Sequence, residues 1–160
     1  CELTGLYNRR YLEQRLTQPM PHHLSSFGYT LAILDLDRFK QVNDTYGHDI
    51  GDQVLVEVAQ RLEQILSIND VVARWGGEEF VLLLAGNQDP NKELELIRQA
   101  IASRPIETHS GPLELTTSIG ATTHLTEQQL NSCTYKKHLK SADYALYQAK
   151  QSGRNKAVII

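Results

Sequence analysis

The sequence of 160 residues lacks most of the features that would mark a secreted, membrane or repeat protein. It contains two cysteines, Cys1 and Cys133, and a chain of this length buries enough surface to fold without disulfides, so we expect free thiols. Its longest wholly apolar run, residues 80–85, is far below the ~18 residues that cross a membrane. These 160 residues show neither a signal-peptide pattern nor an internal repeat. We expect one domain, residues 1–160, without membrane contact.

Positive charge is not in excess either. Sixteen Lys and Arg residues stand against nineteen Asp and Glu residues, a net charge of −3. This balance argues against a sequence-independent DNA binder and against a polybasic membrane module, so no nucleic-acid partner is expected. A small phosphate-bearing ligand, held by a few local cations, is still compatible with the composition.

Helical and strand patterns alternate along the chain. Apolar spacing predicts helices over residues 8–16, 52–66 and 141–150, and another from Pro90 through Ile101 that stops before Pro105. Apolar runs predict strands over residues 29–37, 71–74, 80–84, 113–121 and 156–160. Residues 122–137 are weakly patterned and are interpreted as a loop. The order predicts an α/β domain whose mixed sheet is covered by helices.

Acidic residues lie at two places that this sheet could bring together. Asp35 and Asp37 end an apolar strand, and Glu78 and Glu79 follow the glycine pair of a predicted hairpin. Buried carboxylates usually have a cation nearby, and Mg²⁺ prefers carboxylate and carbonyl oxygens while leaving positions open for phosphates. A magnesium-nucleotide site is one hypothesis. The alternative is a solvated hairpin, with carboxylates that only cap the turns.

Five segments resemble, in order and spacing, the motifs of one family and together cover almost the whole chain. They are LTGLYNRR at 3–10, DLDRFK at 35–40, NDTYGHDIGD at 43–52, WGGEEF at 75–80 and ADYALYQAKQSGRN at 142–155. The chain therefore resembles the GGDEF family, the diguanylate cyclases, with the signature in its GGEEF form.

The resemblance implies a palm-like α/β fold shared with class III nucleotidyl cyclases, with the signature on a β-hairpin. It also implies a homodimer that condenses two GTP molecules into cyclic di-GMP with release of two pyrophosphates. By this resemblance Asp35, the Leu36 carbonyl and Glu78 bind Mg²⁺, for which Mn²⁺ can substitute, and Glu79 helps with a second metal. Glu78 would also activate the ribose 3′-hydroxyl, and Lys40 would stabilise the developing charge.

The remaining substrate contacts are implied in the same way. Guanine would be bound by Asn43 and Asp52, because a carboxylate that accepts the N1 and N2 hydrogens selects guanine over adenine. The other implied substrate-binding residues are Phe39, Lys40, His48, Lys150 and Arg154, the last two for the β and γ phosphates. A lone histidine such as His48 is more often structural, and basic residues also favour helix C-termini through the helix dipole.

Two departures from the family pattern limit the comparison. Many members have an Arg-x-x-Asp product-inhibition site before the signature, where this chain has Ser67-Ile68-Asn69-Asp70. Serine lacks arginine's planar fork, so we predict that inhibition through this site is lost or much weakened, with Arg98 as a secondary contact. Cys1 stands where the N-terminal motif usually has Asp, and it cannot pair with Arg9 or Arg10 as a carboxylate would.

The resemblance further implies a cytoplasmic output domain of a longer protein, with a sensory region upstream that can be membrane-anchored. Two alternatives are a catalytically idle module that binds GTP or cyclic di-GMP, and a cyclase that forms a cyclic mononucleotide. Retention of the metal, charge-stabilising and guanine-binding residues favours catalysis. The recognised motifs belong to the branch that forms the dinucleotide.

Overall fold

The structure, a computed structural model, describes residues 1–18, 27–86, 88–131 and 133–160. In chain order these residues form β1 (Tyr7–Asn8), α1 (Arg9–Arg15), β2 (Tyr29–Leu36), α2 (Phe39–Tyr46), α3 (His48–Ile65), β3 (Val71–Gly76), β4 (Glu79–Ala85), α4 (Pro90–Ala102), β5 (Ile106–Thr108), β6 (Gly111–Leu113), β7 (Thr117–Leu125), a 3-10 helix (Glu127–Leu130), α5 (Tyr135–Gln151) and β8 (Ala157–Ile159). No helix in these ranges is long and apolar enough to span a membrane.

The described residues build a central sheet in the strand order β1-β3-β4-β2-β7-β8. Strand β2 runs antiparallel to both β4 and β7, and β3 runs antiparallel to β4. The outer strands β1 and β8 are parallel to their neighbours, while β5 and β6 form a separate small hairpin. The predicted α/β fold, with a mixed sheet flanked by helices and the signature on a hairpin, is confirmed.

Strand β2 is buried on both faces, and the alternation of its side chains decides which helix each one meets. Leu34 and Leu36 belong to the apolar cluster that includes side chains of α3 and α4. Leu31 and Ile33 belong to the opposite cluster, which includes side chains of α1 and α5. Asp35 has the same parity as Ile33, so its side chain lies on the α5 face of the sheet.

Helix α5 approaches the sheet closely at Gly120 of β7. A Cβ atom at this position would lie 2.0 Å from the backbone nitrogen of Leu146 and 2.2 Å from the carbonyl oxygen of Ala142. Both are backbone atoms of the helix and cannot rotate away. Glycine at position 120 therefore sets the packing distance of α5, whose last turn lies near the end of β2.

A buried arginine connects α3 to the end of α4. Arg61 is 4% exposed, and its guanidinium donates to the carbonyl oxygens of Ile101, Arg104 and Pro105 at 2.8–2.9 Å and to Glu57 at 2.8 Å. The last carbonyls of a helix have no partner within the helix, so Arg61 satisfies groups that would otherwise be unpaired. The two helices are thereby held together beneath the sheet.

The structure corrects two predictions on the N-terminal side of the hairpin. Helix α2 was not predicted, because it is short and buries only Phe39, which leaves no apolar periodicity to detect. Helix α3 begins at His48 instead of residue 52, so Gly51 lies inside the helix.

Two further corrections concern the second half of the chain. The strand predicted over residues 113–121 is β7, which begins at Thr117, because residues 111–113 pair instead with β5. The segment 122–137 is not simply a loop. Apart from residue 132, which lies outside the described ranges, it contains the end of β7, the 3-10 helix and the start of α5. Thr126 and Gln129 form a capping box there, a polar signal that apolar periodicity does not reveal.

Candidate active site at the signature hairpin

The hairpin between β3 and β4 turns at Gly77 and Glu78, one residue later than the predicted Gly76–Gly77 pair, because Gly76 still pairs with Glu79. Gly77 has a φ of +53°, which glycine adopts without strain. Arg74 donates from Nε and Nη2 to the carbonyl oxygen of Gly77, at 3.0 and 2.9 Å. The next residue, Glu78, accepts a hydrogen bond on its carbonyl oxygen from the backbone N–H of Leu36 at 3.3 Å. The turn is therefore bonded to the end of β2, which brings together the two acidic segments that the sequence left as possible neighbours.

Arg74 also contacts the unusual residue at position 1. Its Nη1 lies 3.4 Å from the Sγ of Cys1. The arginine next to this position is thus Arg74, and not Arg9 or Arg10 as the sequence suggested. Arg9 pairs instead with Glu13 at 3.1 Å, and its guanidinium lies 4.8 Å from the ring centroid of Trp75. Cys1 and Cys133 are both free thiols.

Carboxylates converge beside this turn. Asp35 is the cross-strand partner of Glu79 in the β2–β4 register, so the two side chains share the α5 face. Burial raises the pKa of Asp35, and the charges of Glu78 and Asp37 raise it further. Burial also raises the pKa of Glu79, followed by the charges of Asp35 and Asp143. Asp35 and Glu79 therefore concentrate negative charge in a partly buried region that is less well solvated than the surface.

Lys150 opposes this charge from the last turn of α5. Its Nζ donates to Oδ2 of Asp35 at 2.9 Å. The ammonium acts against the rise in the pKa of both Asp35 and Glu79. Asp143 lies seven residues earlier on the same helix and therefore on the same face. The sequence pattern did not single out Asp143, although this spacing from Lys150 was visible.

Asp37 has a different environment from Asp35, with which the sequence had paired it. Its carboxylate accepts hydrogen bonds from Oγ1 of Thr116 and Oγ of Ser118, each at 2.7 Å, and from the backbone N–H of Asn155 at 3.0 Å. Asp37 is 6% exposed. These bonds join the ends of β2 and β7 to the turn after α5, so Asp37 holds the edge of the site together.

Helices α2 and α3, which follow β2 in the chain, carry Lys40 and the predicted guanine-binding residues. Lys40 is exposed, Asn43 is partly buried, and His48 and Asp52 are exposed. A Cβ atom at Gly51 would lie 1.9 Å from Oδ1 of Asn43, so this glycine leaves room for the amide.

Phe39, predicted to contact substrate, is only 5% exposed and packs in the core cluster. Its ring therefore supports α2 from below. A contact between Phe39 and a ligand would have to come from its backbone.

The C-terminus of α5 turns sharply after Lys150. Gly153 has a φ of +113°, and the N–H of Arg154 donates to the carbonyl of Ala149 at 3.0 Å, which closes the helix as the sequence predicted. Arg154 is exposed. Lys150 lies in the last turn of α5, where it reaches Asp35, and Arg154 lies in the turn that follows the helix.

Comparison with known proteins agrees with this arrangement. A family model described as the diguanylate cyclase GGDEF domain matches residues 2–156. The chain belongs to the GGDEF family. It is 41% identical over 160 residues to the diguanylate cyclase DgcM of Escherichia coli K12, covering 98% of this chain and 37% of DgcM. The chain spans less than half the length of the curated relatives it matches.

Solved GGDEF structures have the same fold. One is the diguanylate cyclase SiaD of Pseudomonas aeruginosa in complex with its activator SiaC, with a TM-score of 0.86, 43% identity, and coverage of 100% of this chain and 61% of SiaD. Another is the GGDEF domain of DgcB from Caulobacter crescentus in complex with c-di-GMP, with a TM-score of 0.84, 31% identity, and coverage of 98% and 92%. The predicted family and fold are confirmed.

The residues at the family's product-inhibition position form a local structure of their own. Oδ2 of Asp70 accepts from the N–H and the hydroxyl of Ser67 at 2.8 and 2.9 Å, and Oδ1 accepts from the N–H of Ala85 at 2.9 Å. Asp70 therefore closes the α3–β3 turn. Arg98 of α4 donates instead to Glu95 and to Oδ1 of Asn155. These hydrogen bonds do not connect Arg98 to Ser67 or Asp70.

The donor set of this GGDEF site is compatible with a divalent metal. Across the described residues, no group of three or more His, Cys, Asp or Glu side chains is arranged to hold an ion. The set that the family resemblance implies is smaller, two carboxylates and the Leu36 carbonyl. Mg²⁺ prefers hard oxygen ligands such as carboxylates and carbonyls. A cation would also relieve the repulsion between carboxylates in a partly buried place, so Asp35 and Glu78 fit a magnesium ion.

Proposed function

We propose that this GGDEF domain is a diguanylate cyclase that joins two GTP molecules into cyclic di-GMP and releases two pyrophosphates. The observation that carries the proposal is the carboxylate cluster at the end of β2, where the Glu78 turn is bonded to Leu36 beside Asp35. The 41% identity to DgcM, a relative named as a diguanylate cyclase, supports it.

The metal residues are Asp35, Glu78 and the Leu36 carbonyl, with Glu79 as a further carboxylate. They would hold Mg²⁺, or Mn²⁺ in its place, and the bound ion would neutralise triphosphate charge during transfer. The partly buried position of Asp35 strengthens its interaction with any cation that reaches it.

The chemical step is an in-line displacement at phosphorus. The ribose 3′-oxygen of one GTP forms a bond to the α-phosphorus of the other, and the bond from that phosphorus to the bridging oxygen breaks, so that pyrophosphate leaves. Glu78 accepts the proton from the 3′-hydroxyl. Lys40, exposed on α2, stabilises the negative charge that develops on the phosphate oxygens. The same step, repeated with the roles exchanged, closes the ring.

Two groups of residues position the substrate. Lys150 and Arg154, at the end of α5, bind the β and γ phosphates. Asn43 and Asp52, with His48 nearby, bind guanine from α2 and α3. Adenine has no N1 or N2 hydrogen to donate to Asp52, so this carboxylate would select guanine.

Two GTP molecules must meet, and each domain provides one site, so we propose a homodimer of two sites that face each other. An upstream sensory region, as the family resemblance implies, would then control how often two domains meet. GTP is available in the cytoplasm, which is the location we propose. Since serine replaces the inhibitory arginine at position 67, the product would inhibit weakly or not at all.

A Glu78→Gln variant tests the proposal. Wild-type protein with GTP and Mg²⁺ should yield cyclic di-GMP, identified by its mass. The variant should bind a fluorescent GTP analogue within a few-fold of wild type but turn over at least about 10²-fold more slowly, as expected when a general base is lost. Glu63, exposed on α3, provides the matched control Glu63→Gln, which should keep the wild-type rate.

Two outcomes would contradict the proposal. If folded wild-type protein forms no dinucleotide, the proposed activity is wrong. If the Glu78→Gln variant keeps its full rate, Glu78 is neither the base nor an essential ligand.

A further inference from the structure

The ion pair between Lys150 and Asp35 places a protein cation where the proposed function requires a metal. Nζ of Lys150 lies 2.9 Å from Oδ2 of Asp35, with 33% of the lysine side chain and 13% of the aspartate side chain exposed. The lysine side chain is the more accessible of the two. Its flexible stem allows the ammonium to move without movement of α5.

The surroundings explain why this ammonium is needed in the absence of a metal. Glu78 and Glu79 come from the hairpin, Asp37 from the segment after β2 and Asp143 from α5. The charges of Glu78 and Asp37 raise the pKa of Asp35, and those of Asp35, Asp143 and Glu78 raise the pKa of Glu79. In both cases Lys150 is the cation that opposes them. Carboxylates that are partly desolvated and uncompensated are costly, so the lysine stabilises the cluster.

A divalent ion on Asp35 and the Lys150 ammonium cannot both keep this position. Two cations on one carboxylate repel each other, and the repulsion is stronger in a partly buried site than in water. A bound triphosphate offers the lysine another anion, because Lys150 is one of the two residues proposed to bind the β and γ phosphates.

We propose that Lys150 occupies the metal position in the nucleotide-free protein and couples nucleotide binding to metal binding. The inference rests on the proposed function of the site. Without nucleotide, the ammonium competes with a divalent ion for Asp35. When the phosphates draw Lys150 away, Asp35 becomes available. Because such coupling is reciprocal, the metal also strengthens nucleotide binding by the same factor.

The position of α5 does not depend on this pair. The helix packs through Ala142, Leu146 and Ala149, which are at most 3% exposed, and meets β7 at Gly120. Substitution of Lys150 should therefore remove the charge and leave the helix in place. Circular dichroism and the melting temperature check that the variant is folded.

Binding of Mn²⁺ alone to nucleotide-free protein tests the inference, with free Mn²⁺ measured by electron paramagnetic resonance. Lys150→Gln should bind Mn²⁺ about tenfold more tightly than wild type, equivalent to ~1.4 kcal/mol. Lys150→Arg keeps the charge and should bind no more tightly than wild type. Lys140, exposed on the same helix and ~15 Å away along its axis at 1.5 Å per residue, provides the control Lys140→Gln, which should match wild type.

The same titration with a saturating, non-hydrolysable GTP analogue measures the coupling. In each protein the analogue should increase the Mn²⁺ affinity by some factor. We expect this factor to be about ten times larger in wild type than in Lys150→Gln, because the variant has no ammonium to remove. Equal factors in the two proteins would overturn the coupling.

Unchanged or weaker Mn²⁺ binding by Lys150→Gln, or no Mn²⁺ binding by any of the proteins, would overturn the inference. Its failure is distinguishable from failure of the proposed function. If wild type makes cyclic di-GMP while Lys150→Gln binds Mn²⁺ as wild type does, the function stands and the inference is wrong. If Lys150→Gln binds Mn²⁺ more tightly but wild type makes no product, the inference about Lys150 stands and the proposed function is wrong.

Discussion

Replacement of Gly51 by alanine should impair guanine binding while leaving the fold almost unchanged. The added Cβ would lie 1.9 Å from Oδ1 and 3.0 Å from Cγ of Asn43, and 3.3 Å from the ring of Phe39. The Asn43 amide is the end of a side chain, so it can rotate away from the new methyl group. In its new position it would no longer point toward the proposed base site.

The expected magnitude follows from the interaction that is lost. A well-placed amide contact to a base edge contributes about 1–3 kcal/mol, so kcat/KM for GTP should fall about 5- to 150-fold. Most of the loss should appear in KM. The free energy of unfolding should change by less than about 1 kcal/mol, because alanine favours the α3 helix by about 0.5–1 kcal/mol and a displaced rotamer costs about as much.

Steady-state kinetics of Gly51→Ala, Asn43→Ala and the double variant give the test. If both single changes act through the Asn43 amide, the double variant should be no worse than Asn43→Ala. Unchanged kcat/KM in the stably folded Gly51→Ala variant would refute the reasoning, since the amide would then have no part in binding GTP. Additive losses in the double variant would show that Gly51 acts separately from Asn43.

Three further predictions follow from the structure. Gly120→Ala should lower the free energy of unfolding in urea by about 2–4 kcal/mol, because its Cβ meets backbone atoms of α5; a loss below 0.5 kcal/mol would contradict the packing. Ser67→Arg should introduce inhibition of turnover by added cyclic di-GMP where wild type shows little, and equal inhibition curves would contradict the role of position 67. Burial raises the pKa of Glu79, so the contribution of this carboxyl to stability is present at low pH and lost as the pH rises through that pKa. With EDTA present, Glu79→Gln should therefore have a free energy of unfolding in urea about 0.5–1 kcal/mol above that of wild type at pH 7, but not at pH 3.5. Equal stability of the two proteins at pH 7 would contradict the effect of burial.

The elements that carry the candidate site were predictable where a local pattern determines geometry. The apolar runs predicted β2 and the two strands of the hairpin, but only the structure shows that β2 pairs with β4 and that Leu36 bonds Glu78. Asp35 and Asp37 look alike in the sequence, but only the structure shows that Asp37 bonds Thr116, Ser118 and Asn155. Those partners are about 80 to 118 residues away along the chain, beyond the reach of any periodicity.

Lys150 illustrates the same limit. The motif at the end of α5 predicts a phosphate contact, which depends on residue type and local spacing. The ion pair with Asp35 joins residues 115 positions apart. It arises because Gly120 lets α5 approach the sheet and because the parity of β2 turns Asp35 toward that helix. Helix α2 was missed for a different reason: it is mostly polar, with Phe39 buried and Val42 partly buried against the core, which gives no clear apolar periodicity.

The central claim is that two copies of this domain, each holding one GTP, form one cyclic dinucleotide. The most direct test is the initial rate of product formation with GTP and Mg²⁺ over a wide range of protein concentrations, with the product identified by mass. We predict cyclic di-GMP, at a rate per domain that rises with concentration until the dimer is saturated. No cyclic di-GMP at any concentration of folded protein, or a cyclic mononucleotide formed at a constant rate per domain, would contradict the claim.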